Sequence, residues 1–172
     1  MINGDDKNIK KIAKRISRTQ ITFGESKKCN YQIKNIDSLN GKQNFEIFEN
    51  KNKKTHKFKI NLPGKHNVFN AAASIGVAME EGIPIRYIKK GISEFTGVGR
   101  RYEKHKIKID SKKVILIDDY GHHPLEVDSN INAYKEEYPK KRVCMIFQPH
   151  RFSRTAQLFD DFVKVLSKVD SL

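Results

Sequence analysis

The feature that most restricts the fold of this chain is a change of hydrophobic period along its length. From Thr19 to Leu62 apolar and polar residues alternate, as in Tyr31-Gln32-Ile33, Phe45-Glu46-Ile47-Phe48 and Phe58-Lys59-Ile60-Asn61-Leu62. Alternation sends successive side chains to opposite faces of a strand, so this stretch predicts a series of half-buried strands. Asn40-Gly41 and the run Glu49 to Thr55 supply the turns. After Pro63-Gly64 the period becomes helical: Asn67 to Glu81 is Ala-rich and is followed by Gly82 and Pro84, both stop signals. Helices are also expected at Ile85 to Glu94 and at Lys7 to Ile16, where Ile9, Ile12 and Ile16 share one face.

Thr96 to Gly99 reads as a hinge, because Gly97 and Gly99 flank one small residue and the pattern starts afresh beyond them. Val114 to Ile117 and Val143 to Phe147 are continuous apolar runs, each followed by a helical segment, Pro124 to Tyr138 and Ala156 to Lys168. In the last of these Leu158, Phe159, Phe162, Val163 and Leu166 form one stripe. Apolar strands that alternate with helices predict an α/β fold whose parallel sheet is covered on both faces. Such sheets take ligands at the carboxyl ends of their strands.

Both apolar runs lead straight into polar clusters, Asp118-Asp119-Tyr120-Gly121-His122-His123-Pro124 and Gln148-Pro149-His150-Arg151-Phe152-Ser153-Arg154-Thr155. If the strands are neighbours, carboxylates, histidines and arginines meet at one sheet edge. Arg151 and Arg154 suit carboxylates or phosphates, and Asp119 suits a cation or an orienting role. Singly, each residue has a plainer reading: Ser153 or Thr155 as a helix cap, Pro124 as a first helical residue, His122 and His123 as loop residues. Asn67 and Asn70, three apart, share a helical face, where an amide either reads a base edge or caps the helix. No closed zinc shell is expected from the histidines, and Cys29 and Cys144 lack metal or redox spacing.

The net charge of +14 raises a rival class, a basic nucleic-acid-binding module. That class needs a continuous cationic face with interleaved aromatics and steep salt dependence. Here the lysines fall in scattered pairs such as Lys53-Lys54, Lys89-Lys90 and Lys140-Lys141, which reads as a solvated surface. No apolar run approaches the roughly 20 residues that span a bilayer, and Met1 to Lys11 lacks a signal-peptide core. Neither nucleic acid nor membrane is therefore an expected partner, and a cytoplasmic location is expected.

Taken in order, LPGKHNVFNAAASIGVA, GVGRRYE, IDDYGHHPLEV and FQPHRFSRT resemble the Mur ligase family, ATP-dependent amino-acid ligases of bacterial cell-wall synthesis. The likeness runs over nearly the whole chain, from Asn3-Gly4-Asp5-Asp6 onward. It implies that residues 1–96 are the C-terminal part of a central ATP-binding domain with a mixed sheet. Residues 97–172 would then be the first part of a Rossmann-like C-terminal domain. By the same resemblance His66, Asn67 and Asn70 lie near the adenine, and Arg101 and Asp119 take catalytic positions at the nucleotide phosphates and bound metal. Tyr120, His122, His150, Arg151 and Arg154 match positions around the muramate substrate and the incoming amino acid. The last two motifs point to the branch that joins L-alanine to UDP-N-acetylmuramate with ATP and magnesium, through an acyl phosphate. Such chemistry relies on positioning and charge neutralisation more than on a protein nucleophile. No GxxxxGK[ST] occurs in the sequence, so the chain is expected to be an incomplete portion, inactive alone, or a remnant without a role.

Overall fold

A computed structural model describes all 172 residues, which form two compact units, Met1–Phe95 and Thr96–Leu172. The first unit carries a five-stranded sheet whose spatial order follows the chain: β1 (Ile2–Asn3), β2 (Thr22–Gly24), β3 (Tyr31–Leu39), β4 (Lys42–Glu49) and β5 (Lys54–Ile60). The β1–β2 and β2–β3 pairings are parallel and the other two antiparallel, so the sheet is mixed. Asn40 and Gly41 both have positive φ (50° and 72°), the backbone that a two-residue hairpin requires. Along β4 the alternation is realised in burial: Gln43, Phe45 and Ile47 point inward while Lys42 and Asn44 face solvent.

Helices α1 (Lys7–Ala13), α2 (Lys65–Glu80) and α3 (Ile85–Glu94) complete this unit. Asp6 caps α1 by accepting the Asn8 and Ile9 amides at 2.8 Å, and the helix ends at Ala13, short of Ile16. The core joins Phe23, Tyr31, Ile33, Phe45, Ile47, Phe58 and Ile60 of the sheet to Val68, Ala71, Ala72 and Ile75 of α2 and Ile88 of α3. Burying each large apolar side chain here contributes about 1.5–3 kcal/mol. Helix α2 ends in a Schellman arrangement: Gly82 has φ 71°, and the Ile83 amide donates to Ala78 O at 3.0 Å.

The second unit contains β6 (Glu103–Ile109), β7 (Lys112–Asp118), α4 (Pro124–Glu137), α5 (Phe152–Gln157) and α6 (Phe159–Leu166). The α/β class is present, but the parallel pairing expected between the two apolar runs is not. β7 pairs antiparallel with β6, and residues 143–147 form only a single bridge, Cys144 to Ser171. Loop closure explains the choice. Asp110 and Ser111 (φ 46° and 64°) make a two-residue turn that brings β6 alongside β7 with little entropy lost, whereas the parallel partner lies beyond α4.

The last helix is also corrected. It starts at Phe152 and breaks at Leu158 (φ −116°, ψ 26°), so its inward face is reset. Phe162 and Val165 are buried, with Leu166 and Val169 packed beside them, while Phe159 and Val163 of the expected stripe face solvent. This small core rests on Val127 and Ile131 of α4 and on Met145 and Phe147, whose ring lies 5.4 Å from Phe162.

Candidate functional site

In the second unit the backbone around Arg101 is shaped by tertiary contacts. Arg100 (φ 56°) and Tyr102 (φ 53°) both occupy the left-handed region, which costs a non-glycine residue about 1–3 kcal/mol. Three hydrogen bonds of 2.8 Å offset that cost: Arg100 N–H to Glu103 Oε2, Tyr102 N–H to Asp119 Oδ2, and Tyr120 N–H to Arg100 O. Tyr102 is buried and donates its hydroxyl to Glu137 Oε2 at 3.3 Å, while Lys104 Nζ meets Glu137 Oε1 at 2.6 Å. Burial, reinforced by the Glu137 carboxylate, holds the Tyr102 hydroxyl far above the ordinary tyrosine range. β6 is thereby strapped to α4.

Asp119 follows β7 directly. Besides Tyr102 it accepts the Gly121 amide on Oδ1 at 2.6 Å, so its carboxylate organises the loop that carries the histidines. Pro124 starts α4 as the sequence predicts, and His123 caps it: His123 Nδ1 accepts the Leu125 amide at 3.2 Å. Glu126 completes a capping box, its Oε2 accepting the His122 amide at 3.0 Å and the His123 amide at 3.1 Å. Its Oε1 receives Arg101 Nη1 at 3.3 Å. Burial pushes the Glu126 carboxyl upward, but the two amides and the Arg101 guanidinium outweigh it and leave its pKa below the usual value.

The hydrogen-bond partners assign the imidazole tautomers. An amide donates to His123 Nδ1, so that nitrogen is unprotonated. His122 Nδ1 lies 3.1 Å from the Tyr120 carbonyl, which only accepts, so there the nitrogen carries the proton. The lone pair on His122 Nε2 is the one left to meet another group. Tyr120, His122 and His150 gather into one aromatic group, with ring centroids 5.6 Å (Tyr120–His122), 6.3 Å (Tyr120–His150) and 6.1 Å (His122–His150) apart. Arg100 stacks 5.0 Å above the Tyr120 ring and pairs with Asp118 at 3.5 Å.

Segments 118–123 and 148–155 therefore meet through rings, and not, as a parallel sheet would require, with Asp119 and Arg151 at one sheet edge. Arg151 is exposed and has φ 68°, a strained entry to α5. Neither Ser153 nor Thr155 caps that helix; the Thr155 hydroxyl turns back to Arg151 O at 3.2 Å. Arg154 is half-buried, and its Nη1 is fully buried without a hydrogen-bond partner, an uncommon state for a charged donor.

In the first unit His66, Asn67 and Asn70 lie in the opening turns of α2. Asn67 sits inside the helix, whose N-cap is Gly64 (φ 86°), and donates its side-chain amide to Pro63 O at 2.7 Å. It brackets the helix start without capping it. Asn70 is exposed and His66 half-buried. No group of three or more His, Cys, Asp and Glu side chains in the chain is disposed to hold a metal ion.

Sequence reasoning passed over Glu126 and the structural roles of Arg100 and Tyr102. Glu126 had a signal, an acidic residue at the third position of a helix opened by Pro124, but a histidine stands where Ser or Thr usually completes the box. For Arg100 and Tyr102 the string GVGRRYE marked the place but not the roles, which depend on backbone conformation.

The sequence profile of the Mur ligase middle domain matches residues 1–78, and that of the Mur ligase glutamate ligase domain matches residues 100–172. The chain is 42% identical to the UDP-N-acetylmuramate–L-alanine ligase of Psychrobacter cryohalolentis, over 100% of this chain and 36% of that protein. It is 41% identical to the ligase of the same name from Chromobacterium violaceum, over 98% of this chain and 37% of that one. Among solved structures, the UDP-N-acetylmuramate–alanine ligase MurC of Thermotoga maritima superposes with a TM-score of 0.72 at 29% identity, covering 87% of this chain and 32% of that one. The chain thus spans about a third of the length of the relatives it matches.

Proposed function

This chain belongs to the Mur ligase family, and from that membership we propose that it is part of a cytoplasmic, ATP-dependent ligase that joins L-alanine to UDP-N-acetylmuramate in peptidoglycan precursor synthesis. The observation that carries the reading is identity of 41–43%, over essentially the whole chain, to ligases named for that pair of substrates. In this reading residues 1–96 are the later part of the central ATP-binding domain and 97–172 the opening part of the C-terminal domain.

The residues present suit anionic partners. The buried, unpartnered Arg154 Nη1 lacks an acceptor that a carboxylate or phosphate oxygen would provide, and the exposed Asn70 amide is available to a base edge. When bound, ATP supplies the phosphoryl group that activates the lactyl carboxylate as an acyl phosphate, and the amine of L-alanine displaces that phosphate to form the amide. His66, Asn67 and Asn70 hold the adenine side. Arg101 neutralises developing negative charge, with Asp119 fixing the backbone beside it. Tyr120, His122, His150, Arg151 and Arg154 hold the muramate and the amino acid, and His122 Nε2 accepts a hydrogen bond from the incoming amine. Magnesium is proposed as the phosphate counter-ion of the complete ligase. This chain by itself brings together no group of three or more His, Cys, Asp and Glu side chains that would hold the ion.

The test is a chimera in which this chain replaces the matching third of the Psychrobacter cryohalolentis ligase, checked for folding by its melting transition. Phosphate release that depends on L-alanine, with glycine, L-serine and D-glutamate as competitors, is the expected result. A folded chimera that prefers D-glutamate, or that turns over nothing, overturns the assignment.

A further inference from the structure

Glu126 links Arg101 to the turn that carries His122 and His123. Its carboxylate takes three donors from two segments, the amides of His122 and His123 on Oε2 and Arg101 Nη1 on Oε1. The Arg101 contact is end-on, through one nitrogen at 3.3 Å, and the side chain remains 50% exposed. A guanidinium has five N–H donors in a planar fork, so the edge turned away from Glu126 keeps paired donors for a second anion. The same carboxylate fixes the amides of the turn that presents His122, whose Nδ1 is already committed to the Tyr120 carbonyl.

We propose that Glu126 is a positioning residue: it aims the free edge of Arg101 and the His122 imidazole at one place, where an anionic group binds. This rests on the functional reading above in one respect, that Arg101 meets an anion. The proposal has a sign that simple electrostatics does not share. Removing a negative charge beside an anion site should tighten anion binding, whereas losing the alignment of Arg101 should weaken it. In Glu126→Gln the side chain keeps one acceptor oxygen and gains a donor. It then faces a donor with its own donor at either Arg101 or the His122–His123 amides. Glu126→Asp keeps the charge but is one methylene too short to reach both.

The experiment is titration of the full chain with inorganic pyrophosphate, followed through the Arg101 Nε–H and His122 imidazole resonances. The amide signals of Val127 and Ile131 report whether α4 remains folded. The expected result is that both Glu126 variants bind pyrophosphate about tenfold more weakly, in keeping with the loss of one charge-assisted hydrogen bond's alignment. The His122 response should also uncouple from that of Arg101. Because either variant loses part of a helix cap, Arg101→Lys serves as a second probe. It keeps the charge and the α4 cap, loses the fork, and should weaken binding similarly. Unchanged or tighter binding in a folded Glu126→Gln, or full-strength binding in Arg101→Lys, overturns the positioning role and leaves the anion site standing. A wild-type chain whose Arg101 does not respond to pyrophosphate overturns both the positioning role and the anion site.

Discussion

Asp119 accepts the backbone N–H of Tyr102 at 2.8 Å across a sequence separation of 17 residues, tying the residue after β7 to the residue before β6. The other carboxylate oxygen holds the Gly121 amide at 2.6 Å. Asp119→Ala leaves both amides without their acceptor, a loss worth about 1–3 kcal/mol. Hydrogen exchange at these two amides should speed up at least tenfold while Ile131 in α4 is unchanged. Gly121→Ala should reproduce the effect, because a Cβ there would lie 2.7 Å from Asp119 Oδ1 and push the carboxylate away. Unaltered exchange in both variants would show that the loop is held by other contacts.

The pH dependence of the α4 start follows from Glu126. Its folded-state pKa lies below the ordinary value of 4.5, so the stabilisation is fully present above that pH and is lost as pH falls through the depressed folded value. Acidification from neutrality should therefore expose the His122 and His123 amides to exchange only below about pH 4.5. In Glu126→Gln those amides should exchange faster at neutral pH, with this acid step absent. A step that persists in the variant would assign it to another carboxylate.

Burial separates Ile131 of α4 from Val163, which helical spacing alone had placed on the buried stripe of the last helix. Ile131, 2% exposed, packs with Val127 and Val165, whereas Val163 is 50% exposed. Ile131→Ala should cost about 2–5 kcal/mol through lost burial and a residual cavity. Val163→Ala, at the surface, should stay within about 0.5 kcal/mol. Urea unfolding followed by signals of the second unit tests the contrast, and comparable losses would contradict the broken helix at Leu158.

The chain by itself is expected to show no ligase turnover and, at best, weak nucleotide binding. Its sequence has no GxxxxGK[ST], and Asn67 already spends its side-chain amide on Pro63 O. What remains for the base is neutral hydrogen bonding, worth about 0.5–1.5 kcal/mol per contact. Exposed lysines add little, since salt screens them beyond about 8 Å. Calorimetric titration with Mg-ATP, beside a phosphate-release assay with UDP-N-acetylmuramate and L-alanine, measures this directly. Micromolar affinity or turnover above background would contradict it.

The sequence by itself determined what depends on a few consecutive residues. Asn40-Gly41 specified a hairpin because both positions take positive φ, and Gly82 and Pro84 ended α2 because one accepts that backbone and the other cannot continue a helix. Pro124 marked the start of α4, and the alternation in β4 its buried face. Two dense polar clusters were also legible, though not how they meet. Tertiary structure alone decided which edge β7 pairs with. Glu103 to Ile109 carries too little apolar weight to announce a strand, and it pairs because a two-residue turn places it there. Tertiary structure likewise set the break at Leu158, the opposite tautomers of His122 and His123, and the Arg101–Glu126 contact. Turn chemistry and periodicity act over one to four residues, so a sequence displays them. A hydrogen-bond partner 25 residues away, as Glu126 is from Arg101, is selected only when packing brings the two segments together.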